Sequence, residues 1–169
     1  MTGQEKHGTV IAVCLSGTGG VPKYPQAAID VAEGGVVGDY HYGKAGKDGA
    51  PRHVTIVAKE VLDSVSESLQ IEVQAGDFAE NFLVEGLGDL AAVQAGDRLR
   101  LGPEVVVRVT AQNAPCSNLA GLHSDIVRSL VGRRGLVAAV EAAGSVSAGD
   151  PASLVPAGGR REPDRTGPS

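Results

Sequence analysis

The sequence predicts a mainly β fold with short helices (α+β), a β-barrel or curved sheet, and three features predict it. Its apolar stretches are short, β-branched and closed off by turn residues. Glycine supplies 24 of 169 residues, which suits many tight turns rather than long helices. Gly-Asp pairs recur at 38–39, 76–77, 88–89, 96–97 and 149–150. A glycine that accepts positive φ, followed by a carboxylate that bonds nearby amides, suits turns between strands. Their spacing is irregular, so they mark turns and not a repeat unit.

Taken in order, residues 9–15 form a β-branched apolar strand with Cys14 inside it, a small buried hydrophobe. Residues 16–28 read as a loop that holds Lys23 between Pro22 and Pro25. On pattern alone Lys23 is a solvated surface charge. Residues 34–43 combine four glycines, Asp39 and His41, the mark of a bent or bulged strand ending in a loop. A turn-rich excursion over 43–51 leads to a clear strand at 52–58, with Arg52 at its mouth. Val61, Leu62, Val65 and Leu69 recur at helical spacing, so 59–69 is a short amphipathic helix. Residues 76–84 turn into a strand, 96–102 alternate as a half-buried strand, and 105–111 form a third apolar run. A short helix at 126–130 stops at Gly132, residues 136–142 suit strand or helix with strand favoured by the bracketing Gly135 and Gly144, and a turn at 149–151 opens a last strand at 152–155. The expected organisation is a single domain over 1–155 with a disordered polar tail over 156–169.

Bulk properties narrow the function. Aromatic content is 3% with no Trp, so the core rests on Val, Leu, Ile and Ala. A net charge of −5 without a basic stripe argues against nucleic acid. No apolar run approaches the roughly 18–20 residues that span a bilayer, so no membrane partner is expected. Residues 1–8 lack the apolar segment of a secretory signal, and two cysteines without CxxC spacing make no disulfide framework. A cytoplasmic setting is the expectation.

The common catalytic templates are absent: no GxSxG, GxGxxG, Walker loop or HExxH, and the four histidines show no paired zinc spacing. Attention falls on Cys116, placed just past the strand at 105–111 in the turn Gln112-Asn113-Ala114-Pro115-Cys116-Ser117-Asn118. A rigid strand end in an open polar turn can present a nucleophile or a metal ligand. A thiolate there needs cationic neighbours or a helix N-terminus. The candidates are His41, His53, Arg52, Lys23 and a helix beginning near Ser124-Asp125. Nucleophile, soft-metal ligand and inert thiol all stay open at this point.

A set of fragments in fixed order then resembles a known family. They are Gly8-Thr9-Val10, Lys23, Gly35-Val36-Val37-Gly38-Asp39-Tyr40-His41, Arg52-His53-Val54 with Glu60, Gly76-Asp77-Phe78, Glu80-Asn81-Phe82, Gly96-Asp97-Arg98-Leu99, Pro115-Cys116, Arg134-Gly135 and Gly144 to Asp150. Together the chain resembles a small stand-alone MOSC domain, named from the C-terminal domain of molybdenum cofactor sulfurase. The resemblance implies a MOSC-type β-barrel-like fold and a single cysteine that ligates molybdenum or carries sulfur as a persulfide. It makes Cys116 the catalytic residue and the metal ligand, and places Lys23, Asp39, His41, Arg52 and Asn81 around a molybdenum cofactor (molybdopterin). It implies a small-molecule substrate or sulfur acceptor, N-hydroxylated compounds in the redox version. A cysteine desulfurase as sulfur donor, or a separate electron donor, would serve it. A metal-free persulfide sulfurtransferase and a non-catalytic ligand-binding barrel are the alternatives. The chain departs from the family pattern three positions before the cysteine, where many relatives carry a basic residue and this chain has Asn113.

Overall fold

In the computed structural model, which describes residues 4–157, seven strands close into a barrel. Strand β1 (Lys6–Leu15) pairs on one side with β11 (Pro151–Val155) and on the other with β6 (Phe82–Glu85). The ring continues from β11 through β7 (Arg98–Leu101), β8 (Val105–Gln112), β9 (Leu136–Ala142) and β5 (Val54–Ala58) back to β6. All neighbours are antiparallel except β5 and β6, which are parallel. A parallel pair needs a crossover, and α1 (Lys59–Leu69) with the segment after it provides one. That helix packs Val61, Leu62 and Val65 inward and ends at Gln70, whose left-handed conformation caps the last turn.

The barrel interior is filled as the composition implies. Val10, Val13, Ile56, Leu83, Leu99, Leu101, Val107, Val109, Leu136 and Ala138 are all buried, with Phe78 and Phe82 among them. Alternation is visible in β8, where Val105, Val107 and Val109 point inward. Closure removes most of the free edges that an open sheet of this size would expose.

The expected strands at 9–15, 52–58, 76–84, 96–102, 105–111, 136–142 and 152–155 all contain observed strands, and the helix at 59–69 has the expected bounds. The region 16–43 differs. The expected loop over 16–28 contains β2 (Tyr24–Gln26), which adds to β1 with Pro25 opposite Cys14. Pro25 is tolerated because β2 lies on an outer edge, where a missing N–H breaks no ladder. Next come β3 (Ala28–Ala32) and β4 (Gly35–Val36), which form a second small sheet with β10 (Gly144–Ser147). The bulged strand expected over 34–43 shrinks to β4. Beyond it Asp39 accepts from the amides of Ser16 and His41, at 3.0 Å each, and this ties the chain into turns.

The other Gly-Asp aspartates also bond backbone amides: Asp77 to Gln74, Asp89 to Ala91, Asp97 to Gln94 and Asp150 to Ser147. Among the described residues no helix is long and apolar enough to cross a membrane. Residues 158–169, most of the expected tail, lie outside the described residues.

Candidate functional site

Cys116 sits where β8 leaves the barrel wall. Asn113 still bonds Gly135 O through its amide at 2.8 Å, and Leu119, fully buried, anchors the far side of the turn. Between these anchors the thiol is exposed. Cys116 caps a short 3-10 turn over Ser117–Gly121, and its Sγ accepts from the Asn118 amide at 3.5 Å. The helix expected near Ser124-Asp125 is α2 (Ile126–Ser129), a single turn of four residues. The amide that meets the sulfur comes instead from Asn118.

Two guanidiniums lie against this turn. Arg52 Nη2 donates to Asn113 Oδ1 at 3.0 Å. Arg134, which is 5% exposed, donates from Nη1 to Ala114 O at 3.2 Å and from Nη2 to Phe78 O at 2.6 Å. Among the described residues, Arg134 Nε is the buried side-chain polar atom without a hydrogen-bond partner. Burial pushes the pKa of both arginines down, and a negative charge on Cys116 pushes both back up. The sulfur therefore lies within electrostatic reach of two cations. Arg52 also lines a cleft of about 280 Å³ with Pro51, Thr110, Gln112 and Val137. Cys116 is outside that cleft.

Lys23, Asp39 and His41 form a second group. Lys23 is 2% exposed, and its Nζ donates to both oxygens of Asp39 at 2.9 and 3.1 Å and lies 3.3 Å from His41 Nδ1. An ammonium has three protons and no lone pair. In that contact Lys23 Nζ is therefore the donor. Burial works to raise the Asp39 pKa, but hydrogen bonds from His41, Lys23 and the Ser16 amide outweigh it and hold the carboxyl well below the usual range. Lys23 is thus a buried ion-pair partner and not the solvated charge its pattern suggests.

The loop 76–81 joins the two groups. Lys23 N donates to Gly76 O at 2.9 Å, and Phe78 O receives Arg134. Between them the buried Glu80 carboxylate accepts from the amides of Gly76, at 2.8 Å, and Phe78, at 3.2 Å. Gly76 has φ +92, and a Cβ there would stand 2.0 Å from Lys23 O, so this contact requires glycine. Asn81, expected near the cofactor, braces strands here. Its Oδ1 accepts from Thr55 N at 3.0 Å and its Nδ2 donates to Cys14 O at 3.1 Å. His53 accepts from the Val140 amide at 3.4 Å.

Of the expected residues, Arg52 reaches the turn that carries Cys116 through Asn113, and Lys23, Asp39 and His41 form another group, while Asn81 is buried between strands. Arg134 and Glu80 were not among the expected site residues. The signals for them were present in Arg134-Gly135 and Glu80-Asn81-Phe82, but a residue of either kind in a loop carries no burial information by itself.

The MOSC domain profile matches residues 38–153. The Bacillus subtilis (strain 168) protein YuaD, named as a candidate metal-sulfur cluster biosynthesis protein, is 26% identical over 147 residues, or 72% of this chain and 77% of that protein. The crystal structure of YuaD from Bacillus subtilis superposes with a TM-score of 0.78 at 22% identity, covering 90% of this chain and 98% of that one. YiiM from Geobacillus stearothermophilus gives 0.67 at 22% identity, covering 88% of this chain and 75% of that one. YiiM from Escherichia coli gives 0.58 at 26% identity, covering 87% of this chain and 69% of that one.

Proposed function

The chain belongs to the MOSC domain family, and on that premise we propose that it handles sulfur through Cys116 in molybdenum-cofactor-linked chemistry. One observation carries the reading: an exposed thiol is presented beside two arginines, one of them almost completely buried with an unpartnered Nε. A soft sulfur ligand next to oxyanion-binding guanidiniums is the donor set that a metal dithiolene with a phosphate arm calls for.

The residues present fit such a group. Among the described residues no three His, Cys, Asp or Glu side chains converge on a common metal position. A metal held here would therefore take Cys116 as its protein ligand and arrive with its remaining ligands supplied by its own chelate, as the molybdenum cofactor does. When bound, the cofactor would supply two-electron redox chemistry at the metal, including reduction of N-hydroxylated substrates. The chain's own contribution is separate from that chemistry. Arg52 and Arg134 hold negative charge near the sulfur, Asn113 fixes the Arg52 fork, and the 3-10 turn aims Sγ outward.

A second reading keeps the cysteine and omits the metal: Cys116 carries a persulfide delivered by a cysteine desulfurase and passes it to an acceptor. The pair of guanidiniums favours it too, because the terminal sulfur of a persulfide is anionic at neutral pH.

Purification from a host that makes molybdenum cofactor tests the first reading. Molybdenum and pterin are expected at one per chain in the wild type and absent in Cys116→Ala. Their absence from both would remove it. Intact mass after incubation with a cysteine desulfurase and cysteine tests the second, which expects one added sulfur at Cys116 that is lost on reduction.

A further inference from the structure

The turn leading into Cys116 is gripped by two cations that lack carboxylate partners. Arg52 bonds the Asn113 side chain and Arg134 bonds the Ala114 carbonyl, so both guanidiniums lie against the residues immediately before the thiol. The more exposed Arg98 and Arg108 pair with Glu141, and Arg128 pairs with Asp125. Among the described residues, neither Arg52 nor Arg134 has such a pair. The carboxylate acting on Arg134 is Glu80, whose own pKa burial pushes up to about 7, which makes it a partial counter-charge at neutral pH. Arg52 and Arg134 also repel each other. A buried cation and a half-buried one held together without a full counter-charge are costly, and the cost is relieved when an anion completes the site.

We infer that the site formed by Cys116, Arg52 and Arg134 takes a small dianion bearing a transferable sulfur, of the thiosulfate class, as its sulfur donor. This rests on the sulfur-carrying reading of Cys116. The reaction balances without an added oxidant or reductant. The Cys116 thiolate attacks the outer sulfur of the donor, and a new S–S bond forms to Cys116. The donor's own S–S bond breaks, and its electron pair leaves with sulfite. Cys116 ends as a persulfide anion, and total charge is unchanged. The guanidiniums have two tasks in this step. Both offset the repulsion between a thiolate and an incoming dianion, and Arg52, the less buried of the two, holds the sulfonate oxygens as sulfite departs. A sulfur donor without an anionic leaving group would need neither.

The test uses the full chain with sodium thiosulfate. One sulfur is expected to appear on Cys116 by intact mass, reversed by dithiothreitol, with one equivalent of sulfite released. Cys116→Ser is expected to give neither product. Arg52→Gln is expected to raise the half-saturating thiosulfate concentration about tenfold, the size of a lost hydrogen bond to a charged group. Loading of the same variant by a cysteine desulfurase is expected to fall less than loading by thiosulfate, since that donor brings no sulfonate; an equal loss with both donors would overturn the sulfonate contact of Arg52. Arg52→Lys keeps the charge without the planar guanidinium and serves if the glutamine variant does not fold; a half-saturating concentration equal to wild type in the variant used would overturn the contact of Arg52 with the sulfonate. If thiosulfate loads no sulfur while the desulfurase loads Cys116, the donor class is overturned and the carrier reading stands. If neither loads Cys116, both are overturned.

Discussion

Asn113 turns its side-chain oxygen to Arg52, which donates to it from Nη2 at 3.0 Å, three residues before Cys116. The position where the family resemblance leads to the expectation of a basic residue carries an acceptor. A third cation at this buried position would repel Arg52, whereas the amide oxygen fixes the guanidinium plane beside the thiol. Asn113→Ala is expected to cost about 1.5–3 kcal/mol of stability, the range for a hydrogen bond to a charged group. Urea titration of the variant against wild type measures it.

The two thiols are expected to behave as opposites. Cys14 is fully buried, and burial, helped by Glu80, pushes its pKa up to about 12. Cys116 is exposed. Iodoacetamide at neutral pH should modify Cys116 alone in the native protein and reach Cys14 only after unfolding. Peptide mapping of the alkylated protein checks this, and rapid native labelling of Cys14 would contradict the burial described above.

The Lys23–Asp39 pair should be far more valuable intact than its parts. Asp39→Asn leaves a buried ammonium without its counter-charge and is expected to destabilise by about 3–5 kcal/mol. Lys23→Met should cost a similar amount, and the double substitution less than the sum of the two. The sign of the pH effect follows from the depressed Asp39 pKa. Its contribution is present above the unfolded carboxylate range near pH ~4 and is lost as pH falls toward the folded value. Denaturant titrations between neutral and acid pH measure both effects.

Glu80 works in the other direction. Its folded pKa is raised from 4.5 to about 7, chiefly by burial, so the native state holds the proton that the unfolded chain gives up. Stability from this group is present below the unfolded value and declines as pH rises from 4.5 to about 7. Taken alone, Asp39 and Glu80 contribute most together near the unfolded carboxylate range. Glu80→Gln is expected to flatten stability across that interval, measured by urea titration at successive pH values.

The barrel was readable from short apolar runs because strand alternation and turn chemistry are local. Residues 59–69 gave the helix bounds for the same reason: Val61, Leu62 and Val65 face the core at helical spacing, and a left-handed Gln70 ends the run. The small sheet of β3, β4 and β10 was harder to see. Each strand is short, and β3 pairs with β10 more than a hundred residues away, a contact that no local window contains. Asn81 shows the same limit at the level of one side chain. Its amide looks suited to a ligand in sequence, but its partners are Thr55 and Cys14, brought to it by two other strands.

By itself the sequence determined the fold class and the order of the barrel strands along the chain, and it singled out Cys116 over Cys14 as the candidate thiol. Those follow from hydrophobic periodicity, from Gly-Asp turns and from a cysteine in a polar strand-end turn. Only the tertiary structure decided which charges act together. It buried Lys23 against Asp39, placed Arg134 under the Cys116 turn and set Glu80 between the two groups. The physical reason is that the effect of a charge depends on its burial and on partners that are distant in sequence, and both are properties of the closed barrel.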